Sequence, residues 1–209
     1  IDALVDAQSH IDGYFFLEES LSPALLDAMQ KVCPITPNQD GAETPAYVYS
    51  HYFLGRRATA LARIDLLNKL SQNFDVTVYT HADCKDILPT AIYGGKIDYY
   101  DTMPTVFQHS KINLNITLKT IQTGIPLRAW DILGCSGFLL TNFQQELCDF
   151  FIPGEDFVYY ESPADAIEKA AYFLSHDRER QAIAHNAFEK IAASHTFHHR
   201  VQSMFEIIT

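Results

Sequence analysis

The stretch KINLNITLKTIQTGIPLRAWDILGCSGFLLTN, residues 111–142, decides the fold class of this chain. Its first eight residues, Lys111–Leu118, predict a strand. The residues IPLRAWDILG predict a helix with Pro126 inside its start, and FLLTN predicts a second strand. A strand, a single helix and a second strand make a βα unit, which indicates a parallel sheet.

The same alternation extends to both sides of this stretch. The other predicted elements are a strand over Phe74–Thr80, a turn and short strand over Gly94–Asp101, a strand over Asp156–Glu161, short helices over Pro104–Ser110 and Phe143–Phe151, longer helices over Arg56–Gln72, Ser162–His176 and Asp177–His195, and a short C-terminal helix. Strands separated by single helices predict an α/β protein with a Rossmann-like parallel sheet flanked by helices.

The first 44 residues differ from the rest and predict a short helical extension. Ser22–Val32 reads as a helix, with Ser22 as its cap and Pro23 at its first position. The segment CPITPNQDGAETP, Cys33–Pro45, has the Pro, Gly and Asp content of a linker. We therefore predict a boundary near Thr44–Pro45. Residues 1–44 would be an extension or remnant of a preceding domain plus linker, and residues 45–209 the Rossmann-like domain.

Composition excludes several classes of function. The chain has 209 residues, of which 47% are hydrophobic, enough for a substantial core. A net charge of −11 argues against nucleic acid as a partner, because phosphate backbones attract basic patches. No apolar run reaches the roughly 18–20 residues of a membrane span, so we expect no transmembrane segment. Four scattered cysteines without a CxxC pair favour a reducing, cytoplasmic location.

The loop after the first quoted strand is the main candidate site. Ligands of parallel α/β sheets bind at the carboxyl ends of strands, where helix N-termini attract anions. Gly124 allows close approach to the backbone, while Arg128 and Asp131 share a helix face at i, i+3. Arg128 can pair with a pyrophosphate and Asp131 can accept hydrogen bonds from a ribose diol. A simple ion pair between Arg128 and Asp131 explains the spacing equally well.

Several further polar residues are candidates for this site. His81 follows a predicted strand and therefore lies at the ligand end of the sheet. Asn115, on the strand before the loop, is either a strand-end hydrogen-bonding residue or a donor contact. His195, His198 and His199 have a spacing that metal ligands can adopt, but no carboxylate or cysteine stands at a matching distance, so we predict no metal site.

Three blocks carry a resemblance to a known family. They are the quoted stretch, the segment YYESPADAIEKAAYFLSHDRERQAIAHNAFEKIAASHTFHHR behind it, and HYFLGRRATALARIDLLNKLSQNFDVTVYTH ahead of it. In this order they resemble the C-terminal domain of CgeB-like, spore-maturation-type glycosyltransferases, which have the GT-B fold. The resemblance runs from about Tyr47 to the C-terminus.

The resemblance implies one of two Rossmann-like domains that face each other across a cleft. This half would hold a nucleotide-sugar donor, typically a UDP-sugar, as a substrate, with no cofactor and no metal. Asp131 matches the acidic residue that binds the donor ribose, and Arg128 matches the arginine of the same motif. The backbone of Gly124 and Ile125 matches the turn that faces the pyrophosphate. The loop Tyr99–Met103 would lie near the base, which places Tyr99 in the site.

Two departures from the family pattern affect the mechanism. Many related retaining enzymes carry a second Glu two helical turns before the ribose-binding acid, and that position falls near Thr123 here. The family's glycine-rich break reads GCSG, Gly134–Gly137, which we interpret as a packing variation.

The chain is also short for a complete enzyme of this type. It begins with Ile1 rather than methionine, so we expect a piece of a longer protein. The acceptor-binding domain, which commonly supplies any catalytic base, would be missing or reduced to Ile1–Thr44. A non-catalytic nucleotide-binding or interaction module is therefore the alternative hypothesis, and the acceptor stays unknown.

Overall fold

The computed structural model describes residues 1–36 and 43–208 of the chain. These residues form helices and five short strands. The helices are α1 Asp2–Ser9, α2 Pro23–Val32, α3 Pro45–Val48, α4 Gly55–Ser71, α5 Met103–His109, α6 Leu127–Gly134, α7 Pro163–Ser175, α8 Asp177–Ser194 and α9 Phe197–Ile208. The strands are β1 Thr77–Tyr79, β2 Ile92–Gly95, β3 Asn113–Asn115, β4 Leu139–Asn142 and β5 Val158–Tyr160. A π-helical segment, Tyr49–Leu54, and a 3₁₀ helix, Gln145–Asp149, complete the list.

By packing, the residues fall into two compact units. The first comprises Ile1–Asn68 with Thr117–Gln122, and the second comprises Lys69–Ile116 with Thr123–Thr209. The division by packing thus lies at Asn68–Lys69, whereas composition predicts a boundary near Thr44–Pro45, and that boundary stays a prediction. Residues 37–42 of the predicted linker lie outside the described residues.

The first unit has its own hydrophobic core. Its helices α1 and α2 form the predicted helical extension, and their apolar side chains pack with residues that follow Pro45. The buried members of this core are Val5, Phe15, Leu17, Leu21, Tyr49, Leu54 and Ala58. The extension is therefore stabilised by burial against later parts of the chain and not by helix propensity alone.

A buried lysine holds the segment Thr117–Gln122 in the first unit. The Lys119 Nζ donates to a carboxylate oxygen of Asp12 at 2.7 Å and to the carbonyl oxygen of Ile11 at 3.1 Å. The backbone N–H of Lys119 donates to the Thr59 hydroxyl at 3.0 Å. Because a buried ammonium needs a charged partner, this pair explains why a lysine is tolerated there.

The second unit contains all five strands, and every pairing is parallel. β3, β4 and β5 form a three-stranded sheet in that order, with Asn115 opposite Thr141 at the end of the first pair. β1 and β2 form a separate two-stranded sheet. The helix α5 lies between β2 and β3, α6 lies between β3 and β4, and the 3₁₀ helix lies between β4 and β5, whereas the described residues between β1 and β2 form no helix. The α/β class is confirmed, with a Rossmann-like arrangement of parallel strands flanked by helices, as in one half of a GT-B fold.

The core of the second unit fixes the orientation of α6. Ala129, Ile132 and Leu133 are buried, and they pack with side chains from neighbouring helices and strands. The remaining buried members are Phe107, Leu139, Leu147, Phe151, Phe157 and Ala187. Since these three residues of α6 face inward, Arg128 and Asp131 lie on other sides of the helix.

Local capping signals were predicted correctly. The hydroxyl of Ser22 accepts from the N–H of Leu25, and that of Ser162 accepts from the N–H of Asp165. In both helices the next residue is a proline at the first position, as predicted. Pro126, in contrast, is the N-cap of α6 and not part of its first turn.

The predicted strands are longer than the observed ones. Lys111–Leu118, for example, shortens to Asn113–Asn115, because only three of its residues pair with β4. The strand predicted within Gly94–Asp101 lies earlier, at Ile92–Gly95, and ends at Gly95 with a φ of 73°. The helices α1 and α3 and the π-helical segment were not predicted.

None of the helices formed by the described residues combines the length and the apolar character that crossing a bilayer requires.

Candidate donor-binding site

The loop between β3 and α6 makes a sharp turn at Gly124. Its φ of 101° lies in the left-handed region, which residues with a Cβ rarely adopt. Thr123 is exposed beside it, and Ile125 is half-buried against the core of the second unit. No side chain caps α6 at Pro126, so the first N–H groups of the helix stay available to a ligand.

Asp131 and Tyr99 come together in the second unit. The Tyr99 hydroxyl donates to a carboxylate oxygen of Asp131, which is half-buried on α6. The predicted ribose residue and the loop predicted to lie near the base are thus in direct contact. Only the tertiary fold brings them together, because the two residues are far apart in the chain.

The ion pair between Arg128 and Asp131 does not form in the described part of the chain. Arg128 is exposed, and its guanidinium lies over the Phe107 ring at 6.0 Å from the ring centre. The carboxylate of Asp131 instead accepts from Tyr99. Arg128 therefore keeps its hydrogen-bond donors for another partner.

The environment of Tyr99 raises the pKa of its hydroxyl. The hydrogen bond to Asp131 is the main cause that raises the pKa of Tyr99 above its ordinary value, and burial and the charge of Asp131 add to it. The nearby Arg128 acts in the opposite direction. Because its pKa lies above the ordinary 10.0, the phenol stays neutral in moderately alkaline solution as well as at neutral pH, so it remains a hydrogen-bond donor to the carboxylate.

The turn that carries Tyr99 is held by Asp98. A carboxylate oxygen of Asp98 accepts from the backbone N–H groups of Tyr100 and Asp101, both at 2.8 Å. These two bonds hold the pKa of Asp98 below its ordinary value. The ring of Tyr100 is 83% exposed and stands edge-on to that of Tyr99, with 5.2 Å between the ring centres.

Asn115 serves the sheet. Its side-chain amide is buried and donates to the Thr141 hydroxyl on β4 at 3.0 Å. This contact fits the strand-end interpretation of Asn115, and a contact with a donor molecule stays a prediction.

His81 is exposed two residues after β1. Among the described residues, no hydrogen bond or ring contact joins it to Tyr99 or Asp131. Its predicted role at the site is thus not supported by any contact, and it stays a prediction.

Two of the C-terminal histidines have partners within the protein. The His195 ring lies 5.2 Å from the Trp130 ring and 5.3 Å from the Phe150 ring, measured between centres, and Arg200 donates to its Nδ1 at 3.1 Å. The Nδ1 of His199 lies 2.7 Å from the Thr196 hydroxyl oxygen. Within residues 1–36 and 43–208, no three His, Cys, Asp or Glu side chains are placed to hold a metal ion.

Because of His195, we expect the folded protein to lose stability in mild acid. Burial is the main cause that lowers the pKa of His195 from its ordinary 6.5, and Arg200 and His199 add to it. The unfolded chain therefore takes up this proton at a higher pH than the folded chain, so the free energy of unfolding falls as pH drops through about 6.5. Denaturant unfolding, followed by the fluorescence of Trp130, measures this fall.

A substitution isolates the contribution of His195. His195→Gln should weaken the dependence between pH 7.5 and 5.5, whereas His185→Gln, at an exposed position on α8, should keep it. Equal dependence in wild type and His195→Gln would contradict the assignment.

Sequence reasoning missed Glu146. This half-buried residue lies in the 3₁₀ helix after β4, and its Oε2 is 3.8 Å from the place where a Cβ on Gly124 would stand. The rule that sites form at the carboxyl ends of parallel strands applies to β4 as well as to β3. Applied to the predicted strand FLLTN, that rule would have indicated the residues after it, Glu146 among them, as candidates.

Comparison with known proteins identifies the family of this chain. Residues 57–206, well over half of the chain, match the model of a family described as glycosyl transferase-like. The match includes every residue of the candidate site. Comparisons with curated proteins and with solved structures give no significant match. The chain therefore belongs to the glycosyl transferase-like family.

Proposed function

We propose that this chain is the donor-binding half of a CgeB-like glycosyltransferase. It would take a sugar from a nucleotide-sugar, specifically a UDP-sugar, for transfer to an acceptor. Family membership supports glycosyl transfer. The observation that carries the donor site is the Asp131 carboxylate, which Tyr99 orients on α6 behind the Gly124 turn.

The start of α6 is suited to the diphosphate. Its uncapped N–H groups and the positive end of the helix dipole attract an anion. Gly124 lets a phosphate approach the backbone, and the exposed guanidinium of Arg128 can bind phosphate oxygens. These groups would offset the charge of the leaving diphosphate without a metal ion. Thr123 and Ile125 belong to the same turn.

Asp131 is suited to the ribose. A carboxylate has two oxygens, and Tyr99 occupies one of them. The other oxygen can accept hydrogen bonds from the two hydroxyls of a ribose. The exposed ring of Tyr100, next to Tyr99, would offer the base a surface for stacking, and His81 and Asn115 complete the proposed set.

Calorimetric titration with UDP and UDP-sugars tests the site. We expect UDP to bind in the presence of EDTA. Asp131→Ala should weaken binding by about ten- to a hundredfold, since charge-assisted hydrogen bonds contribute about 1.5–3 kcal/mol. Tyr99→Phe should weaken it less, because the carboxylate loses its orienting partner but remains. Asp149→Ala, which removes an exposed carboxylate in the same unit, is the matched control.

Two outcomes would contradict this assignment of the donor site: no binding of any nucleotide, or equal binding by wild type and Asp131→Ala.

Incubation of the full-length protein with a UDP-sugar and candidate acceptors then distinguishes an enzyme from a binding module. Glycosylated product with free UDP supports the transferase. Binding without turnover supports the non-catalytic alternative, which the exposed Thr123 at the second-carboxylate position favours.

A further inference from the structure

Glu146 places an unpaired carboxylate beside the Gly124 turn. Within residues 1–36 and 43–208, its carboxylate forms no hydrogen bond and no ion pair. Its Oε2 lies 3.8 Å from the position of a Cβ built on Gly124, which is van der Waals contact. The half-buried carboxylate of Glu146 is therefore open to accept hydrogen bonds from a ligand.

The parallel sheet explains how Glu146 reaches this turn. β3 and β4 are adjacent and parallel, and Asn115 pairs with Thr141 near their carboxyl ends. The loops that follow the two strands therefore leave the sheet side by side. The first loop leads to Gly124 and the second leads into the 3₁₀ helix that carries Glu146.

The charge of Glu146 restricts the kind of group that can lie against it. A carboxylate repels a phosphate, so this side of the turn disfavours the diphosphate itself. A carboxylate is also an acceptor without donors, so it requires a neutral group rich in O–H or N–H donors. In a nucleotide-sugar, the group joined directly to the diphosphate is a sugar, whose hydroxyls meet both requirements.

We propose that Glu146 accepts hydrogen bonds from hydroxyl groups of the donor sugar. This role rests on the proposed function, because it assumes that the diphosphate binds at the start of α6. Glu146 is then a specificity residue: it distinguishes nucleotide-sugars from nucleoside diphosphates that lack the sugar.

The substitution Glu146→Gln should change the affinity for UDP and the affinity for UDP-sugars in opposite directions. For UDP, removal of the negative charge should raise the affinity by about two- to fivefold, because a repulsion at the diphosphate is lost. For UDP-sugars the affinity should fall by about tenfold or more, because a charged hydrogen-bond acceptor is lost. A merely structural role would lower both affinities together.

Calorimetry with UDP, UDP-glucose, UDP-galactose and UDP-N-acetylglucosamine measures the ratio of UDP-sugar to UDP affinity. Glu155→Gln, which neutralises an exposed carboxylate in the same unit, should leave each ratio unchanged. If Glu146→Gln fails to fold, Glu146→Asp replaces it. That variant keeps the charge but shortens the side chain, so sugar affinity should fall without a gain in UDP affinity.

The results separate the two proposals. A ratio that stays at the wild-type value for all three sugars, or an equal loss of UDP and UDP-sugar affinity, overturns the role of Glu146 and leaves the donor site standing. Failure of wild type to bind any nucleotide overturns the donor site, and the role of Glu146 with it.

Discussion

Replacement of Lys190 by methionine should lower the free energy of unfolding by about 3 kcal/mol. The side chain of Asp156 is only 1% exposed, and Lys190 on α8 supplies its charged partner. Without Lys190, the carboxylate keeps one donor, the backbone N–H of Ile152 at 2.7 Å. A buried charge with one hydrogen bond is costly, and the partial exposure of Lys190 keeps the expected loss at the lower end for buried pairs.

Urea unfolding of two further variants checks the cause of this loss. Lys85→Met removes a lysine whose pair with Asp83 is 3.7 Å long and exposed on both sides, so it should cost less than about 0.5 kcal/mol. Asp156→Asn in the Lys190→Met background should recover part of the loss, because a neutral amide still accepts from Ile152. Equal losses for Lys85→Met and Lys190→Met would show that burial of Asp156 is not the cause.

Gly137→Ala should be comparably destabilising, by about 3 kcal/mol, because there is no room for a methyl group. Its Cβ would stand 2.8 Å from the Asn113 Nδ2, 2.9 Å from the Phe107 carbonyl oxygen and 3.0 Å from the Ile132 carbonyl oxygen. Two of these atoms are backbone and cannot rotate away. The Asn113 amide also donates to the Phe107 carbonyl at 2.9 Å, so the methyl group would disturb a buried hydrogen bond.

The neighbouring Ser136 should respond in the opposite direction. Its φ of 56° lies in the left-handed region, where a residue with a Cβ is strained. Ser136→Gly should therefore raise the free energy of unfolding by about 0.5 kcal/mol, after allowance for the greater entropy of glycine in the unfolded chain. Thermal and denaturant unfolding of both variants measures the two effects. The packing argument would be contradicted if Gly137→Ala lowered the free energy of unfolding by less than a Gly→Ala substitution at an exposed position.

These two residues refine the interpretation of the GCSG break as a packing variation. The backbone N–H of Gly137 donates to the Ile132 carbonyl at 2.9 Å, so the break is the hydrogen-bonded end of α6. Gly137 is required by space, whereas Ser136 occupies a conformation that glycine adopts more easily. Composition alone does not distinguish these two requirements.

The i, i+3 spacing of Arg128 and Asp131 could not be interpreted uniquely from the sequence. The spacing places both residues near the start of one helix, but it allows an ion pair and a ligand site equally. In the structure the Asp131 carboxylate pairs with Tyr99 and not with Arg128. Tyr99 lies on a loop from a different part of the chain. No local pattern encodes such a contact.

Features that depend on neighbouring residues could be predicted from the sequence. Ser22–Pro23 and Ser162–Pro163 start helices because a hydroxyl cap and a fixed φ act within one turn. The strand–helix–strand order around α6 implied parallel pairing of β3 and β4, since a crossover helix returns the chain in the same direction. Which strands are neighbours, and what their loops bring together, depends on the folded chain as a whole. The contact of Tyr99 with Asp131 and the approach of Glu146 to Gly124 follow from packing and strand order, which act between residues far apart in the chain.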